Sequence, residues 1–286
     1  MVPRVAERCL TVLETGPLAT IQDTGRIGLA GQGVGRSGAC DRSSYALANR
    51  LVGNLPGTPA IEVTYGGLRV RAECDLVVTA TGARCPGAPH NAPELVRAGT
   101  ELALGPPATG LRTYLAVRGG LVAEPLLGSC STDILSGLGP PVLRAGDLWR
   151  VGDATGPAPS VDVAPVPAPE AGAVRVRVIP GPRNDWFTDA GWDSLLGQTY
   201  RVSNDSNRVG IRLEGEPLER AVTRELPSEG MVRGALQVPP SGTPVLFLAD
   251  HPVTGGYPVI GYVLDSDVDR CGQLRPGQEL TFTGAR

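Results

Sequence analysis

The sequence predicts a mainly β protein built from closed or nearly closed β-barrels. Three observations favour this class. Glycine and proline are abundant, with 39 and 27 residues in a chain of 286, and neither residue is well tolerated inside helices. Valine and threonine, which favour strands, cluster between them. Short apolar stretches with period-two alternation recur along the chain and are separated by turn residues.

The N-terminal half, residues 1–152, is predicted to begin with a strand over 8–15. A Gly-rich stretch at 25–38 follows. A helix is predicted over 41–52, because Asp41 or Ser43 can cap its first turn and apolar residues recur on one face. The remaining strands of this half are predicted at 60–65, 68–82, 101–105, 113–120 and 147–152.

A Pro/Ala-rich stretch at 153–172 lacks helical and strand periodicity, so it is predicted to be a linker or a long surface loop. The C-terminal half, 173–286, begins with an alternating strand at 174–179 and a helix at 185–196. Both halves thus run from strand to helix to many strands, which predicts two barrel-like halves with a few short helices. The further strands are predicted at 199–203, 208–213, 232–238, 244–249, 258–264 and 279–283.

The basic residues limit the chemistry that this chain can perform. All 26 are arginine, so the chain has no lysine for a P-loop, a Schiff base or covalent biotin. Any such lysine must come from another protein. Arginine suits carboxylate and phosphate, so anion binding stays open. The net charge of −3, with both signs interspersed, predicts no nucleic-acid partner and no membrane surface.

Cysteine and histidine usage predicts a cytoplasmic protein with reduced thiols and no metal site. The six cysteines form no CxxC pair, and only two histidines are present. The N-terminal stretch lacks an apolar signal core, and no apolar run approaches the ~18 residues of a membrane span.

Local motifs carry weaker signals. Residues 33–38 satisfy GxGxxG, but no convincing buried strand precedes them, so we expect an anion-binding glycine loop or a plain turn rather than a dinucleotide site. The carboxylates at 265–269 are predicted to lie in a solvated strand end or turn. Cys130 is predicted to be inert. His251, in the Gly-rich loop HPVTGGYP, is a candidate catalytic base.

An ordered series of motifs resembles one family. The matching residues are Gln22-Asp23 with Gly25-Arg26, Ser37-Gly38-Ala39 with Asp41-Arg42, Glu62, Tyr114 to Gly120, Gly128-Ser129 with Ser131-Thr132, Ser206-Asn207-Arg208, Gly234 to Gln237, and Asp250 with Gly255-Gly256-Tyr257-Pro258. On these residues the chain is identified as a member of the allophanate hydrolase subunit 2 family, also called biotin-dependent carboxyltransferase-like or KipA-like, which includes the C subunit of 5-oxoprolinase. The resemblance covers roughly residues 10–283. Departures from the family pattern are Arg36 for Pro, Cys40 for Met and Val209 for Met.

The resemblance implies a cyclophilin-like β-barrel and a partner chain in a heterotetramer. This partner is a homologue of the family's subunit 1, which in 5-oxoprolinase is the B subunit, and a third chain, the A subunit, is able to join. The resemblance also implies ATP-driven ring opening of 5-oxoproline to glutamate, with ATP used by the complex but not bound through a P-loop in this chain. One alternative is transfer of a carboxyl group from carboxybiotin to a urea-like substrate, with no biotin attached to this chain. The other alternative is a regulatory, non-catalytic partner of a kinase inhibitor-like subunit 1.

Both chemistries hold an amide or urea rigidly while negative charge develops, a task suited to arginines and backbone donors. Arg26 or Arg208 is expected to clamp a carboxylate or phosphate, with Asp23 orienting one of them. For each candidate the alternative is a buried arginine–aspartate pair that ties barrel loops together. The catalytic candidates are Asp23, Arg26, Arg208 and His251, and the substrate-binding candidates are Gln22, Ser37, Asp41, Asn207, Gln237, Gly256 and Tyr257.

Overall fold

The computed structural model describes residues 8–157 and 160–285 of the chain. These residues form two compact units, and each unit is assembled from more than one segment. The first unit takes the chain up to Gly25 together with 41–132 and 137–169, and the second takes 26–40, 133–136 and the chain from Glu170 onward. The boundaries predicted from the sequence, two continuous halves joined by a linker, stay a prediction of domain organisation.

The first unit contains one helix and nine strands in the residues that the structure describes. Antiparallel pairing arranges five strands into one sheet and four into another. The elements are β1 (Cys9–Thr15), β2 (Leu18–Gln22), α1 (Arg42–Leu51), β3 (Ala60–Thr64), β4 (Leu68–Ala72), β5 (Leu76–Gly82), β6 (Glu94–Val96), β7 (Glu101–Ala103), β8 (Arg112–Val117) and β9 (Leu148–Arg150). The sheet orders are β2-β3-β8-β5-β6 and β7-β4-β1-β9.

The chain passes from one sheet to the other at the turn between β1 and β2. Gly16 adopts a φ of 64° there, and a Cβ on this residue would lie 2.1 Å from the Gly66 carbonyl oxygen, so only glycine fits. The predicted alternation in β4 is confirmed. Leu68 and Val70 are 1% exposed, while the side chains of the alternate residues Arg69 and Arg71 pair with glutamates.

The second unit contains two helices and nine strands in the described part of the chain, and seven of its strands close into a barrel. The barrel pairs are antiparallel except for one parallel pair, β10 with β18. The elements are β10 (Val174–Pro180), α2 (Asp189–Gly197), β11 (Tyr200–Val202), β12 (Gly210–Glu214), β13 (Glu229–Gly230), β14 (Ala235–Gln237), β15 (Val245–Phe247), β16 (Thr254–Gly255), β17 (Val259–Val263), α3 (Asp265–Cys271) and β18 (Glu279–Gly284). The barrel order is β10-β17-β14-β15-β12-β11-β18, and β13 pairs with β16 in a separate ribbon.

Alternation also builds the barrel core. Val174, Val176 and Val178 of β10 are at most 3% exposed, whereas the intervening arginines face outward. Tyr200 and Phe282 pack edge to face inside the same core, with ring centroids 5.5 Å apart. The predicted mainly β class with a closed barrel is therefore confirmed.

Two predictions of local structure in the second unit need correction. Residues 265–269 do not form a solvated turn but most of α3, and Asp267 is buried against Arg177. The helix predicted at 185–196 begins as one 3-10 turn, Asn184–Trp186, and α2 starts only at Asp189. Gly191 is required in α2 because a Cβ there would lie 2.5 Å from the Glu219 carbonyl oxygen.

None of the helices in the described residues has the length and apolar character needed to cross a lipid bilayer.

Candidate functional site

A buried ion pair joins Arg208 to Asp250 in the second unit. Nε of Arg208 lies 2.9 Å from Oδ2 of Asp250, and Nη2 lies 3.0 Å from Oδ1. Nη2 also donates to the Gly38 carbonyl oxygen at 2.7 Å. The two residues flank the paired strands β12 and β15, and the Asp250 N–H donates to the Arg208 carbonyl oxygen at 3.0 Å. Both side chains are about 1% exposed, so this two-point contact fixes their position and orientation.

The same carboxylate holds two other segments of the second unit. The Ser37 hydroxyl donates to Asp250 Oδ1 at 2.6 Å, and the Ile134 N–H donates to Oδ2 at 3.1 Å. Ser37 has a φ of 56°, a conformation that residues with a side chain rarely adopt, and Gly38 follows with a φ of 91°. Such backbone strain is characteristic of functional sites. Asp250 and Arg208 stabilise this strained turn directly.

The loop after Asp250 carries three of the predicted site residues. His251 Nδ1 lies 2.8 Å from the Pro252 carbonyl oxygen, and its ring lies 6.3 Å from that of Phe247. Tyr257 is 45% exposed, while its carbonyl oxygen accepts a hydrogen bond from Gln237 Nε2 at 3.2 Å. Gly256 lies between β16 and this tyrosine. Gln237 therefore positions the backbone of the loop while the Tyr257 ring stays accessible.

The remaining predicted site residues of the second unit, Arg26 and Asn207, differ in exposure. Arg26 is 1% exposed, and its N–H donates to the Arg36 carbonyl oxygen at 2.7 Å, which closes the Gly-rich segment into a loop. Asn207 is exposed, and its Oδ1 accepts from the Val209 N–H at 2.8 Å, a local turn that leads into β12.

In the first unit, Asp23 is the centre of a dense hydrogen-bonded cluster. Oδ1 accepts from the Ser129 hydroxyl at 2.6 Å, the Ser131 hydroxyl at 2.5 Å and the Gly25 N–H at 2.7 Å. Oδ2 accepts from the Cys130 N–H at 2.6 Å. The orienting role expected of Asp23 toward Arg26 or Arg208 stays a prediction, and so does its catalytic role.

Gln22 and Asp41 also lie in the first unit. Gln22 donates through Nε2 to the Thr132 carbonyl oxygen at 2.9 Å, and its Oε1 is buried with no donor among the described residues. The Asp41 carboxylate accepts from the Ser44 N–H at 2.9 Å and so caps α1, as the sequence predicts. The Asp41 N–H donates to the Tyr114 hydroxyl at 2.7 Å, and that hydroxyl donates to Glu62 at 2.8 Å.

The structure thus groups the predicted residues within each unit. In the second unit, Ser37 and Arg208 meet through Asp250, and Gln237 contacts Tyr257. The sequence prediction does not include Asp250 among the site residues, although it stands in the matched motifs. The same holds for Glu62, Ser129 and Ser131 in the first unit. A buried carboxylate that organises a loop leaves no local pattern, because its donors are distant in sequence.

Two titratable groups of the first unit show the effect of burial. Burial raises the pKa of Tyr45, and the nearby Asp23 carboxylate and Cys130 raise it further, so this phenol stays protonated. Burial lowers the pKa of His90, with Arg84 adding to the effect. Among residues 8–157 and 160–285 no group of three or more histidine, cysteine or acidic side chains is arranged to hold a metal ion.

Two adjoining open grooves of about 570 and 380 Å³ also lie on the first unit. They share Val122 and Trp149, and their lining includes Leu126, Pro140 and Leu148. None of the predicted site residues lines either groove.

The barrel fold and the buried polar clusters formed by the motif residues are the features on which the chain can be compared with known protein families. The family described as the carboxyltransferase domain, subdomain A and B, matches residues 32–284. The chain belongs to this family, and the resemblance stated from the sequence is confirmed.

Individual relatives show how much of the chain, and how much of each relative, is matched. The chain is 36% identical to the 5-oxoprolinase C subunit of Escherichia coli (strain K12) over 282 residues, which cover 96% of this chain and 90% of the relative. The solved structure of TTHA0988 superposes with a TM-score of 0.86 and 37% identity, covering 98% of this chain and 56% of that one. The K. lactis urea amidolyase superposes with a TM-score of 0.90 and 27% identity, covering 99% of this chain and 19% of that one. The chain therefore spans nearly the whole of the E. coli relative, about half of TTHA0988 and a fifth of urea amidolyase.

Proposed function

We propose that this chain is one subunit of an ATP-dependent 5-oxoprolinase-type complex, in which it binds a small lactam for ring opening of 5-oxoproline to glutamate. The observation that carries the proposal is the similarity to the E. coli 5-oxoprolinase C subunit, which extends over 96% of this chain and 90% of the relative. Against urea amidolyase the chain matches only 19% of a much longer polypeptide.

Ring opening adds water across the C–N bond of the lactam, and in such a complex it is coupled to hydrolysis of ATP to ADP and phosphate. Negative charge develops on the amide oxygen during this step, and fixed hydrogen-bond donors stabilise it. In our proposal Arg208 and Asp250 are positioning residues, because they hold the strained Ser37-Gly38 turn and the start of the His251 loop.

His251 is the candidate base in this proposal. Its Nδ1 lies 2.8 Å from the Pro252 carbonyl oxygen, which can only accept, so Nδ1 carries the proton and donates. Nε2 is then the nitrogen that accepts a proton in the neutral ring. Arg26 remains a candidate for contact with a substrate carboxylate or phosphate, whereas Arg208, expected from the sequence to share that role, is assigned to positioning.

We assign ATP to a partner rather than to this chain. The chain has no lysine for a P-loop, and its Gly-rich segment closes on itself through Arg26 and Arg36 around a 3-10 turn, Ala30–Gln32. This arrangement does not fit a P-loop, so we derive no phosphoryl-transfer step within this polypeptide. Covalent biotin also requires a lysine, so a biotin carrier would have to be a separate protein.

We further propose that the substrate site is shared with a partner chain, a homologue of the 5-oxoprolinase B subunit, in a heterotetramer that the A-type chain is able to join. The E. coli relative is designated the C subunit of its enzyme, which supports a multi-subunit assembly. TTHA0988 adds support because the matching region is only 56% of its chain, so a second region is part of that polypeptide.

The test is to co-express this chain with homologues of the A and B subunits of 5-oxoprolinase and to supply 5-oxoproline with ATP. We expect glutamate and ADP to form only when the three chains are combined. In this complex, Arg208→Ala should lower glutamate formation by about 100-fold, since small misplacements of a site cost that much. Arg212→Ala, which removes an exposed arginine of β12, is the matched control and should have little effect.

Two results would contradict the proposal. Full activity of this chain alone would exclude a shared site, and an assembled complex that makes no glutamate would exclude the 5-oxoprolinase activity.

Carboxyltransfer is the second candidate function. It is favoured by the family description and by the TM-score of 0.90 with urea amidolyase. An assay of the same complex with a carboxybiotin carrier and urea distinguishes carboxyltransfer from ring opening of 5-oxoproline. Biotin-dependent carboxylation without glutamate formation would favour this candidate, and neither activity would favour a regulatory partner.

A further inference from the structure

Arg220 is an arginine of the second unit that lies outside every matched motif. Among the described residues, its hydrogen-bond acceptor is the Val238 carbonyl oxygen, which Nη2 contacts, and its Nε is buried without an acceptor. Within the same residues it forms no ion pair with a carboxylate. A partly buried guanidinium without a counter-ion is unusual, because burial penalises the charge.

One hydrogen bond holds the guanidinium, and backbone contacts hold the segment that carries it. The backbone of Arg220 forms a bridge with Phe187, and the next N–H, that of Ala221, donates to the Trp186 carbonyl oxygen at 2.9 Å. At the other end, Val238 accepts from Arg220 and donates its own N–H to the Pro258 carbonyl oxygen at 2.9 Å. Arg220 is therefore anchored on the backbone beside Tyr257.

The surroundings of Arg220 suit a small anion. Val238, whose carbonyl oxygen Arg220 contacts, donates its N–H to Pro258, so the guanidinium lies beside the segment that carries Tyr257. Burial lowers the pKa of Arg220, and Tyr257 opposes this effect. Tyr257 is 45% exposed and Arg220 is half-buried, so both residues reach the surface. Gln237, immediately before Val238, is a predicted substrate-binding residue and holds the Tyr257 backbone. An arginine fork and a phenol hydroxyl are complementary to a carboxylate.

We propose that Arg220, together with Tyr257, binds the carboxylate of the substrate. This inference rests on the proposed function and narrows its substrate class to small amides that carry a carboxylate. 5-Oxoproline has such a group, whereas urea does not.

The test compares two ligands that differ only in the carboxylate. Binding of 5-oxoproline and of 2-pyrrolidinone, the same ring without the carboxylate, is measured by calorimetry on the full chain in complex with its partners. Arg220→Ala should weaken 5-oxoproline binding by about 10- to 100-fold and leave 2-pyrrolidinone unchanged. Arg220→Lys, which keeps the charge but loses the fork, should give a smaller loss.

Arg224→Ala is the matched control. Arg224 lies four residues further on, is exposed and stacks on Trp186 with its guanidinium carbon 5.4 Å from the ring centroid. Its removal changes the net charge equally, so 5-oxoproline binding should change less than about twofold. Equal weakening of both ligands by Arg220→Ala, or no weakening of either, would overturn the carboxylate subsite. So would failure of the wild-type complex to bind any carboxylate probe.

Glutarate, a dicarboxylate without a ring, separates this inference from the proposed function. If the complex makes no glutamate but binds glutarate in an Arg220-dependent manner, the subsite stands and the proposed function fails. If the complex makes glutamate and Arg220→Ala leaves the KM for 5-oxoproline unchanged, the proposed function stands and the subsite fails.

Discussion

The carboxylate of Asp250 accepts four hydrogen bonds, two of them from Arg208 and one each from Ser37 and Ile134. Removing two charges from water costs several kcal/mol per ion, and only good geometry with further hydrogen bonds offsets that cost. Both conditions hold here. The arrangement matches the structural alternative considered for the sequence, a buried arginine–aspartate pair that ties loops together. It fits a positioning role better than direct contact with substrate.

Asp250→Asn keeps the shape of the side chain but removes the charge opposite Arg208. We expect the free energy of unfolding of the second unit to fall by about 3 kcal/mol, because a buried charge loses its counter-ion. Urea unfolding followed by tryptophan fluorescence measures this loss. A Trp149→Phe background restricts the signal to Trp186 and Trp192, which belong to the second unit. Asp205→Asn, an exposed change near Arg208, should shift stability by less than about 0.5 kcal/mol. Equal effects of the two substitutions would contradict the prediction.

The sequence identified most of the polar residues that these clusters contain, but not their partners. Ser37 and Arg208 are recognisable because they stand in ordered motifs. Their dependence on Asp250 follows from the pairing of β12 with β15, which brings positions 208 and 250 together. Arg220 had no signal at all, since it lies outside those motifs and only the fold, through Val238 and Pro258, places it beside the segment that carries Tyr257.

Among the elements, α3 shows why short helices escape sequence prediction. Its seven residues, DSDVDRC, lack apolar periodicity, and only long-range contacts stabilise them. Arg233 binds the side chains of Asp265 and Asp269 at 2.5 Å each, and Arg177 binds Asp267 through Nε at 2.9 Å and Nη2 at 2.9 Å. By contrast, α1 was predictable because its cap, Asp41, is adjacent in sequence.

The Asp267 contact makes the stability of the second unit depend on pH. Hydrogen bonding to Arg177 lowers the pKa of Asp267 below its ordinary value, against an opposing effect of burial. A group with a lowered pKa stabilises the fold above its unfolded-state pKa, and this contribution is lost as the pH falls through the folded-state value. The loss should therefore occur as the pH falls through and below the ordinary aspartate pKa of about 4.

Asp267→Asn tests this dependence. The variant should be less stable than the wild type at pH 7, and the difference should shrink as the pH falls, because the wild-type carboxylate becomes protonated. Urea unfolding midpoints at pH 7, 5, 4 and 3 measure it. Asp193→Asn, on the exposed face of α2, is the control and should follow the wild type. Parallel curves for Asp267→Asn and the wild type would show that Asp267 is not responsible.

In the part of the chain that the structure describes, each unit has a main hydrophobic core of its own, and the second unit also holds a smaller apolar cluster with Met231 and Phe247. Leu115 of β8 lies in the first core and Leu280 of β18 in the second, and both are 0% exposed. The first unit is built from two antiparallel sheets, whereas the barrel of the second is closed by the parallel pair of β10 and β18. Each core therefore draws on strands that are distant in sequence.

Tryptophan reporters allow the two cores to be measured separately. Trp149 packs against the first core, and Trp186 and Trp192 belong to the second. Leu280→Ala should cost about 2–5 kcal/mol through the cavity that it leaves, and the loss should appear chiefly in the Trp186 and Trp192 signal. Leu115→Ala should act chiefly on the Trp149 signal. If both probes shift equally in each variant, the two cores unfold as one cooperative unit and the prediction is wrong.

The amino-acid sequence alone determined the mainly β class, the capped helix α1, most strand positions and membership of the family, because these depend on local periodicity, turn residues and motif order. The tertiary structure was needed to show that the compact units interleave along the chain, and that Asp250 organises the loops around Arg208. It was also needed to show that Arg220 lies beside the segment that carries Tyr257, without a counter-ion among the described residues. The reason is physical. Strand pairing brings together residues that are tens to hundreds of positions apart, and the burial and hydrogen bonding that set their chemistry exist only after that pairing has formed.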